Sequence, residues 1–429
     1  MFTKSVLFLL LAAALAGAQQ ASVSGPPPQS SAPVLTLDEV VSQVQAQNPA
    51  ISNAQRLVEA RQRRVVQAGA LPDPTLSVSY MGSAVPFKTM EMDPSSYRGI
   101  TAMQMIPLGG KRELRREMAR KEVTATEADQ LAVRRRLTAD AKAAYYDYFY
   151  YGKALEITNR NKARLEQLAD ISEARYKVGK AMQSDVLRAH VEVSMLLQQS
   201  VSLQQQRETA VARLNTLMNR DPESALPPAA DVGKSALPTF AALAAIAEIN
   251  DPMLQKEQSI VERSKVAINM ARKEYIPDLS VGYMYQQRPG MADMYGLQFS
   301  LNIPIFYKSK QREGVEQAKL ELDSAEKSRA SRKLELEYEV KQMYAMAQNA
   351  NKMLDLYQNA IIPQAELALQ SAESSYAVGT VDFLTVVTNF TTINGYQIDY
   401  YRQLADYETA LARIEALTGD LTQVSKEAK

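Results

Sequence analysis

The 429-residue chain contains no cysteine and no tryptophan, and its single histidine is His190. Without cysteine there is no disulfide framework, no thiol nucleophile and no thiolate metal site. One histidine without an organised set of partners does not make a catalytic triad, and no Gly-rich phosphate loop follows a candidate strand. Neither an enzyme nor a resident cofactor or metal site is therefore expected. An excess of one charge is also missing, since 49 Lys and Arg face 48 Asp and Glu. Nucleic acid, which calls for a basic surplus, is not an expected partner.

Long apolar runs are absent with one exception. Val6 to Leu15 is apolar, follows Lys4 and precedes Ala16-Gly17-Ala18, the pattern of a cleaved secretory signal and not of a spanning helix. Residues 1–18 are expected to be a signal peptide, with no cysteine behind it to carry a lipid. Residues 19–35, which include "SVSGPPPQSSAP", read as a flexible lead-in. No other run approaches the roughly 18 apolar residues of a transmembrane helix. An exported chain of this kind, if it crosses a membrane, does so without helices.

Proline and glycine are scarce where they would interrupt helices. Between Gly110 and Pro222 there is no proline, and the only glycines are Gly152 and Gly179. A helix from Lys111 to Gly179 would be roughly 100 Å long, too long for a compact globule, so a long packed bundle is expected. Gly179 suits a left-handed helix end at which the chain reverses. "YAVGTVDFLTVV" repeats the pattern at Gly379, 200 residues on. Other landmarks recur at similar offsets: Pro49 with Pro252, Pro72 with Pro277, Pro107 with Pro304, Leu217 with Leu417. Five ordered landmarks at nearly one offset indicate an internal two-fold repeat, with repeat 1 at 36–231 and repeat 2 at 232–429. Each repeat opens with helix. Asn48-Pro49 and Asp251-Pro252 are N-cap and first-turn signals, and Pro363 should kink or break the second long helix.

Strand hairpins are expected at about 75–107 and 279–305. "DLSVGYMY" puts Leu279, Val281, Tyr283 and Tyr285 on one face, and "YGLQFSLNIP" does the same with Tyr295, Leu297, Phe299, Leu301 and Ile303. The opposite faces are polar or small and uncharged, which suits a barrel lumen with lipid outside. Four strands cannot close a membrane barrel, and open edges in lipid are prohibitive, so several chains must share one. Tyr80, Tyr97, Tyr283, Tyr285, Tyr295 and Tyr307, with Phe87 and Phe306, cluster in or near the hairpins as a candidate membrane aromatic belt, although tryptophan, common in such belts, is absent.

Signal, repeat, paired strand hairpins and glycine-turned helical hairpins together resemble the TolC family of outer-membrane efflux proteins. "LPDPTL", "IPLGGKRELR", "ARYKVGKAMQSDVLRA" and "IIPQAELALQSAESSYAVG" carry the resemblance, which covers nearly the whole mature chain. The first two strings are similar to the heavy-metal-efflux branch. The resemblance implies a mainly α fold with a small β part. Three chains would share a 12-stranded outer-membrane barrel, four strands from each, continued by a long periplasmic α-helical tunnel. It further implies a homotrimer in outer-membrane lipid, acting as a passive exit duct of a tripartite system with a periplasmic adaptor and an inner-membrane pump.

For the periplasmic entrance it implies a gate linking Asp185 to Tyr376, and adaptor docking at the hairpin tips, Val178-Gly179-Lys180 and Val378-Gly379-Thr380. Many members carry acids six and nine residues past the second glycine. Here those positions are Thr385 and Thr388, leaving Asp382 as the nearby acid for an anionic ring. Plainer roles stand beside these: helix capping for Asp185 and Asp382, packing for Tyr376, a solvated or core position for His190. An exported coiled-coil scaffold of the periplasm or cell surface is the alternative from another class.

Three further signals are open. Lys111, Arg112, Arg115, Arg116, Arg120 and Lys121 crowd a helix start, where positive charge opposes the dipole; lipid head groups or a solvated face with Glu113 and Glu117 would answer them. "AYYDYFYYGK" reads as packing in the middle of the bundle. Of 18 methionines, Met81, Met90, Met92, Met103, Met105, Met284, Met291 and Met294 bunch around the hairpins, as barrel-wall apolar residues or as soft ligands.

Overall fold

The computed structural model describes residues 34–83, 88–90 and 92–419. The expected signal peptide, most of the lead-in and Phe87 lie outside them. The last lead-in residue, Leu35, is not loose: it is buried and forms a parallel bridge with Ala229, its N–H donating to the Pro228 carbonyl at 2.9 Å.

The chain runs through α1 (Leu37–Gln47), α2 (Pro49–Ala68), β1 (Thr75–Met81), β2 (Tyr97–Ile106), α3 (Lys111–Lys177) and α4 (Gln183–Leu217). The same order follows in α5 (Phe240–Asn250), α6 (Pro252–Lys273), β3 (Leu279–Gln287), β4 (Met294–Leu301), a long helix in two pieces, and α9 (Phe383–Thr418). The two pieces are α7 (Gln311–Leu356) and α8 (Ile362–Val378), joined by a π-helical turn at Tyr357–Ile361. Pro363 causes this joint. It lacks an N–H and its ring crowds the carbonyl four residues back, so the ladder slips to a wider turn instead of breaking.

Helix starts follow local chemistry. Thr36 and Glu39 form a reciprocal capping box on α1. The Asn48 side-chain oxygen accepts the Ala50 N–H at 2.9 Å, and Asp251 accepts that of Leu254 at 2.7 Å. Asn48 also joins helices end to end, since its amide donates to the Leu217 carbonyl, the end of α4, at 2.9 Å. Asn250 does the same to Thr418, the end of α9, at 3.0 Å. These amides satisfy orphan C-terminal carbonyls and turn α4–α2 and α9–α6 into stacked rods alongside the 67-residue α3, which is about 100 Å long. α3 packs against α2, α4, α6 and α9, and α7 against α6 and α9.

The thickest core is a belt midway along α3. Tyr145, Tyr148 and Phe149 are fully buried there, with Leu214 and Tyr407. Buried phenols need partners, and they find backbone: Tyr145 donates to the Leu35 carbonyl at 3.0 Å and Tyr148 to that of Pro227 at 2.9 Å. The segment before α5 is tied down similarly. Glu408, buried on α9, accepts the Ser235 N–H at 2.7 Å and its hydroxyl at 2.9 Å, and Tyr407 donates to the Ser235 carbonyl at 2.7 Å.

Candidate functional site

The four strands form one antiparallel sheet in the order β1-β2-β3-β4. Its register fixes the faces. Leu279 pairs with Leu301, Val281 with Phe299, Tyr283 with Leu297 and Tyr285 with Tyr295. Across β2 and β1 the same face continues through Ile106, Ala102, Ile100, Leu76 and Val78, with Gln104 among them and Arg98 and Gln287 at the far end beside Tyr80. These side chains stand in the open, Leu297 at 71% and Val78 at 72% exposure. A contiguous exposed apolar sheet face of this size marks a surface for lipid or a partner. The opposite face carries Ser77, Thr101, Ser280, Gln298 and Ser300. β1 and β4 have unpaired outer edges among the described residues.

The register corrects part of the expected aromatic belt. Tyr80, Tyr283, Tyr285 and Tyr295 stand on the oily face, but Tyr97 pairs with Met81 and so lies on the polar one. Side chains alternate along a strand, and Tyr97 is one step out of phase with Ile100. Tyr307 is not on a strand at all. It sits in the corner after β4, its ring 6.4 Å from that of Tyr275. Phe306 lies in the same corner.

The corner between sheet and helices also answers most of the crowded basic run. Lys111 is only 2% exposed, and its ammonium donates to Asp278 at 2.9 Å and to the Ile276 carbonyl at 2.8 Å. Arg112 donates to the Gly69 carbonyl at 2.8 Å, and Arg116 and Arg120 reach Glu113 at 2.6 and 3.2 Å. Lys121 pairs with Glu262. Lys111 thus fastens the start of β3 to α3, Arg112 the end of α2 and Lys121 α6, whereas Arg116 and Arg120 pair with Glu113 on an exposed face of α3 itself.

At the far end both helical hairpins turn as their glycines require. Gly179 and Gly379 take φ of +71° and +82°, the left-handed region open to glycine at little cost. Lys180 N–H then reaches the Arg175 carbonyl at 2.8 Å, and Thr380 N–H that of Ser375 at 3.0 Å, closing each helix end. Val178, Gly179, Lys180, Val378, Gly379 and Thr380 are all exposed.

The hairpin tips share a core containing Ala189, Tyr376, Phe383 and Val386. Tyr376 packs on Phe383 with ring centroids 5.4 Å apart. Its hydroxyl is buried without a hydrogen-bond partner. The Asp185 carboxylate accepts the Met182 N–H at 3.4 Å, a first-turn contact of α4. Within one chain, then, no hydrogen bond among the described residues joins Asp185 to Tyr376. Asp382 caps α9 by accepting the Thr385 N–H at 3.0 Å and its hydroxyl at 2.5 Å. Those two bonds, with the Arg188 charge nearby, hold its carboxyl below the usual range. His190 is exposed. Arg175, which carried no signal in the sequence, links the hairpins by donating from α3 to the Tyr376 carbonyl at 2.8 Å.

No helix among the described residues is long and apolar enough to cross a membrane. The family model "Outer membrane efflux protein" matches residues 40–220 and 243–420. The chain belongs to this family. It is thereby an efflux protein of the outer membrane with an extension into the periplasm. The cobalt-zinc-cadmium resistance protein CzcC of Cupriavidus metallidurans is 22% identical over 402 residues, 91% of this chain and 92% of its own length. The fold is that of the outer-membrane channel OprN, with a TM-score of 0.76, 18% identity and 90% of each chain covered. It is equally that of the outer membrane protein VceC of Vibrio cholerae, with a TM-score of 0.75, 17% identity, and 89% and 96% coverage. Membership of this family sets aside the scaffold alternative.

Proposed function

We propose that three copies of this outer membrane efflux protein close a 12-stranded barrel and serve as the passive exit duct of a tripartite pump. The observation that carries this is the sheet itself, four strands with one exposed apolar face and unpaired edges at β1 and β4. In lipid those edges must pair, and β4 of one copy against β1 of the next closes a ring without new secondary structure. Residues 36–231 and 232–429 act as two structural repeats, each giving the wall one strand hairpin and one long helical hairpin. Tyr80, Tyr283, Tyr285 and Tyr295 face lipid in the ring.

The glycine tips form the periplasmic entrance. Asp185, Tyr376 and Asp382 lie at it, and the unpartnered Tyr376 hydroxyl, covered within the single chain, gains a partner when the tips rearrange on assembly. Exposed Val178 and Val378, flanked by Lys180 and Thr380, give a periplasmic adaptor an apolar ring to grip, and the adaptor couples the duct to an inner-membrane pump. The resemblance to CzcC, a cobalt-zinc-cadmium resistance protein, over most of both chains supports heavy-metal ions as the cargo class, the particular ion being set by the pump that feeds the duct. The test is whether the mature protein runs as a heat-dissociable trimer from the outer-membrane fraction and conducts ions in a planar bilayer. A folded monomer, or a trimer without conductance, rejects the proposal.

A further inference from the structure

The strand methionines are sorted by face. Met81, Met103, Met105, Met284 and Met294 all stand on the polar side of the sheet, and none on the oily side. As ordinary apolar filler they would favour the lipid side, where Leu, Ile, Val and Phe are found. On the polar side they are the only aliphatic side chains beyond alanine size within the strands.

Their heights are also ordered. Met105 stands opposite Ser280, Met103 opposite Gly282, Met284 opposite Thr101, and Met294 opposite Gln286. Met81, opposite Tyr97, stands one step above. Each of five successive inward rungs, spaced about 6.8 Å apart, thus carries one thioether per chain. Two rungs give the methionine a glycine neighbour. A side chain at Gly282 would meet the Met103 Cε at 3.6 Å, and one at Gly296 would meet that of Met284 at 3.1 Å. The remaining inward positions are Ser, Thr, Gln, Gly and Tyr97, with no carboxylate or imidazole.

We propose that this ladder is a conduction path for a soft monovalent metal ion, of the Cu(I) or Ag(I) class, through the barrel. Neutral thioethers suit such ions, and the absence of hard oxygen anions leaves divalent ions without a matching ligand set. Repeated weak sites at short intervals are what conduction needs, since each must bind well enough to admit the ion and weakly enough to release it. The ladder rests on the proposed barrel, with three copies bringing three thioethers to each rung.

Silver is a suitable probe because the chain has no cysteine to compete for it and its one histidine, His190, lies on α4. Purified trimers are placed in a planar bilayer in potassium nitrate, and the potassium current is recorded while Ag⁺ is added. We expect reversible block of the wild-type current. In a variant carrying Met81→Leu, Met103→Leu, Met105→Leu, Met284→Leu and Met294→Leu, the half-blocking concentration should rise about tenfold or more, with the unblocked current unchanged. Zn²⁺ should block neither. Equal block of both, or none in a conducting wild type, overturns the ladder while leaving the channel intact. Absence of any current from folded trimers overturns channel and ladder together. If the fivefold variant does not assemble, Met103→Leu/Met284→Leu should raise the half-blocking concentration about threefold. Silver-edge X-ray absorption of the wild type should show sulfur neighbours; oxygen or nitrogen neighbours alone reject the proposal.

Discussion

The Arg175 guanidinium lies 4.6 Å from the centroid of the Tyr376 ring and donates to the carbonyl of the same residue at 2.8 Å. One side chain thereby holds the end of α3 against the end of α8, using the ring face and a helix-terminal carbonyl at once. Arg175→Gln removes the cation and should loosen the two tips, raising single-channel conductance. An unchanged conductance would mean that the shared apolar core alone keeps them together.

Asp185→Ala/Tyr376→Phe tests the entrance separately, since it leaves Arg175 in place. If the Tyr376 hydroxyl is satisfied on assembly, conductance should rise in the double variant. Conductance equal to wild type would return Asp185 to helix capping and Tyr376 to packing.

The two sheet faces make opposite predictions for adjacent residues. Leu297→Arg places a charge on the oily face and should cost roughly 2–4 kcal/mol near the bilayer midplane. Gln298→Arg points the other way and should fold normally while shifting ion selectivity toward anions. Urea titration of vesicle-inserted protein and reversal potentials measure the two effects. Equal tolerance of both changes would contradict the assigned orientation.

How much of this was legible in the sequence varies by element. Asn48-Pro49, Asp251-Pro252 and the glycine turns announced themselves because caps and reversals are local chemistry, and the strict alternation of β3 and β4 marked their oily face. Helix α5 has a local signal of the same kind: Thr239 caps it, and it stands 203 residues after Thr36. The face of Tyr97 depended on a register that its own irregular strand did not declare. Arg175 and Lys111 were not legible as contacts, because their partners lie 201 and 167 residues away. The methionine ladder was visible only as a cluster until the pairing of four strands put its members at successive heights.

Lys111 tests the corner between sheet and bundle. Lys111→Met would strand the Asp278 carboxylate and the Ile276 carbonyl. We expect a loss of about 3 kcal/mol, the low end for breaking a buried pair because Asp278 retains some water. Denaturant unfolding gives the value; a change below about 1 kcal/mol would mean the pair contributes no more than a surface one.

Burial pushes the Glu408 carboxyl above the usual carboxylate range, although Ser235 and Lys142 pull part of the way back. Such a group binds its proton more tightly folded than unfolded. Its contribution is therefore full below the unfolded value and is lost as pH rises through the folded one. Glu408→Gln keeps an oxygen for the Ser235 N–H and removes the titration. Between pH 4 and 8 its thermal midpoint should fall less with rising pH than that of the wild type. Parallel curves would show that Glu408 does not contribute to the slope.

The π-helical turn at Tyr357–Ile361 makes the two hairpins of one chain mechanically unequal. α3 runs unbroken from sheet to tip and behaves as a strut. α7 and α8 meet at a joint, beyond which the 17 residues of α8 form a lever arm of about 25 Å. A swing of about 10° there would carry the second glycine tip sideways by about 4 Å while the first stays fixed. Repeated around a three-fold axis, that inequality would turn a rigid pipe into one with a moving aperture at a single end.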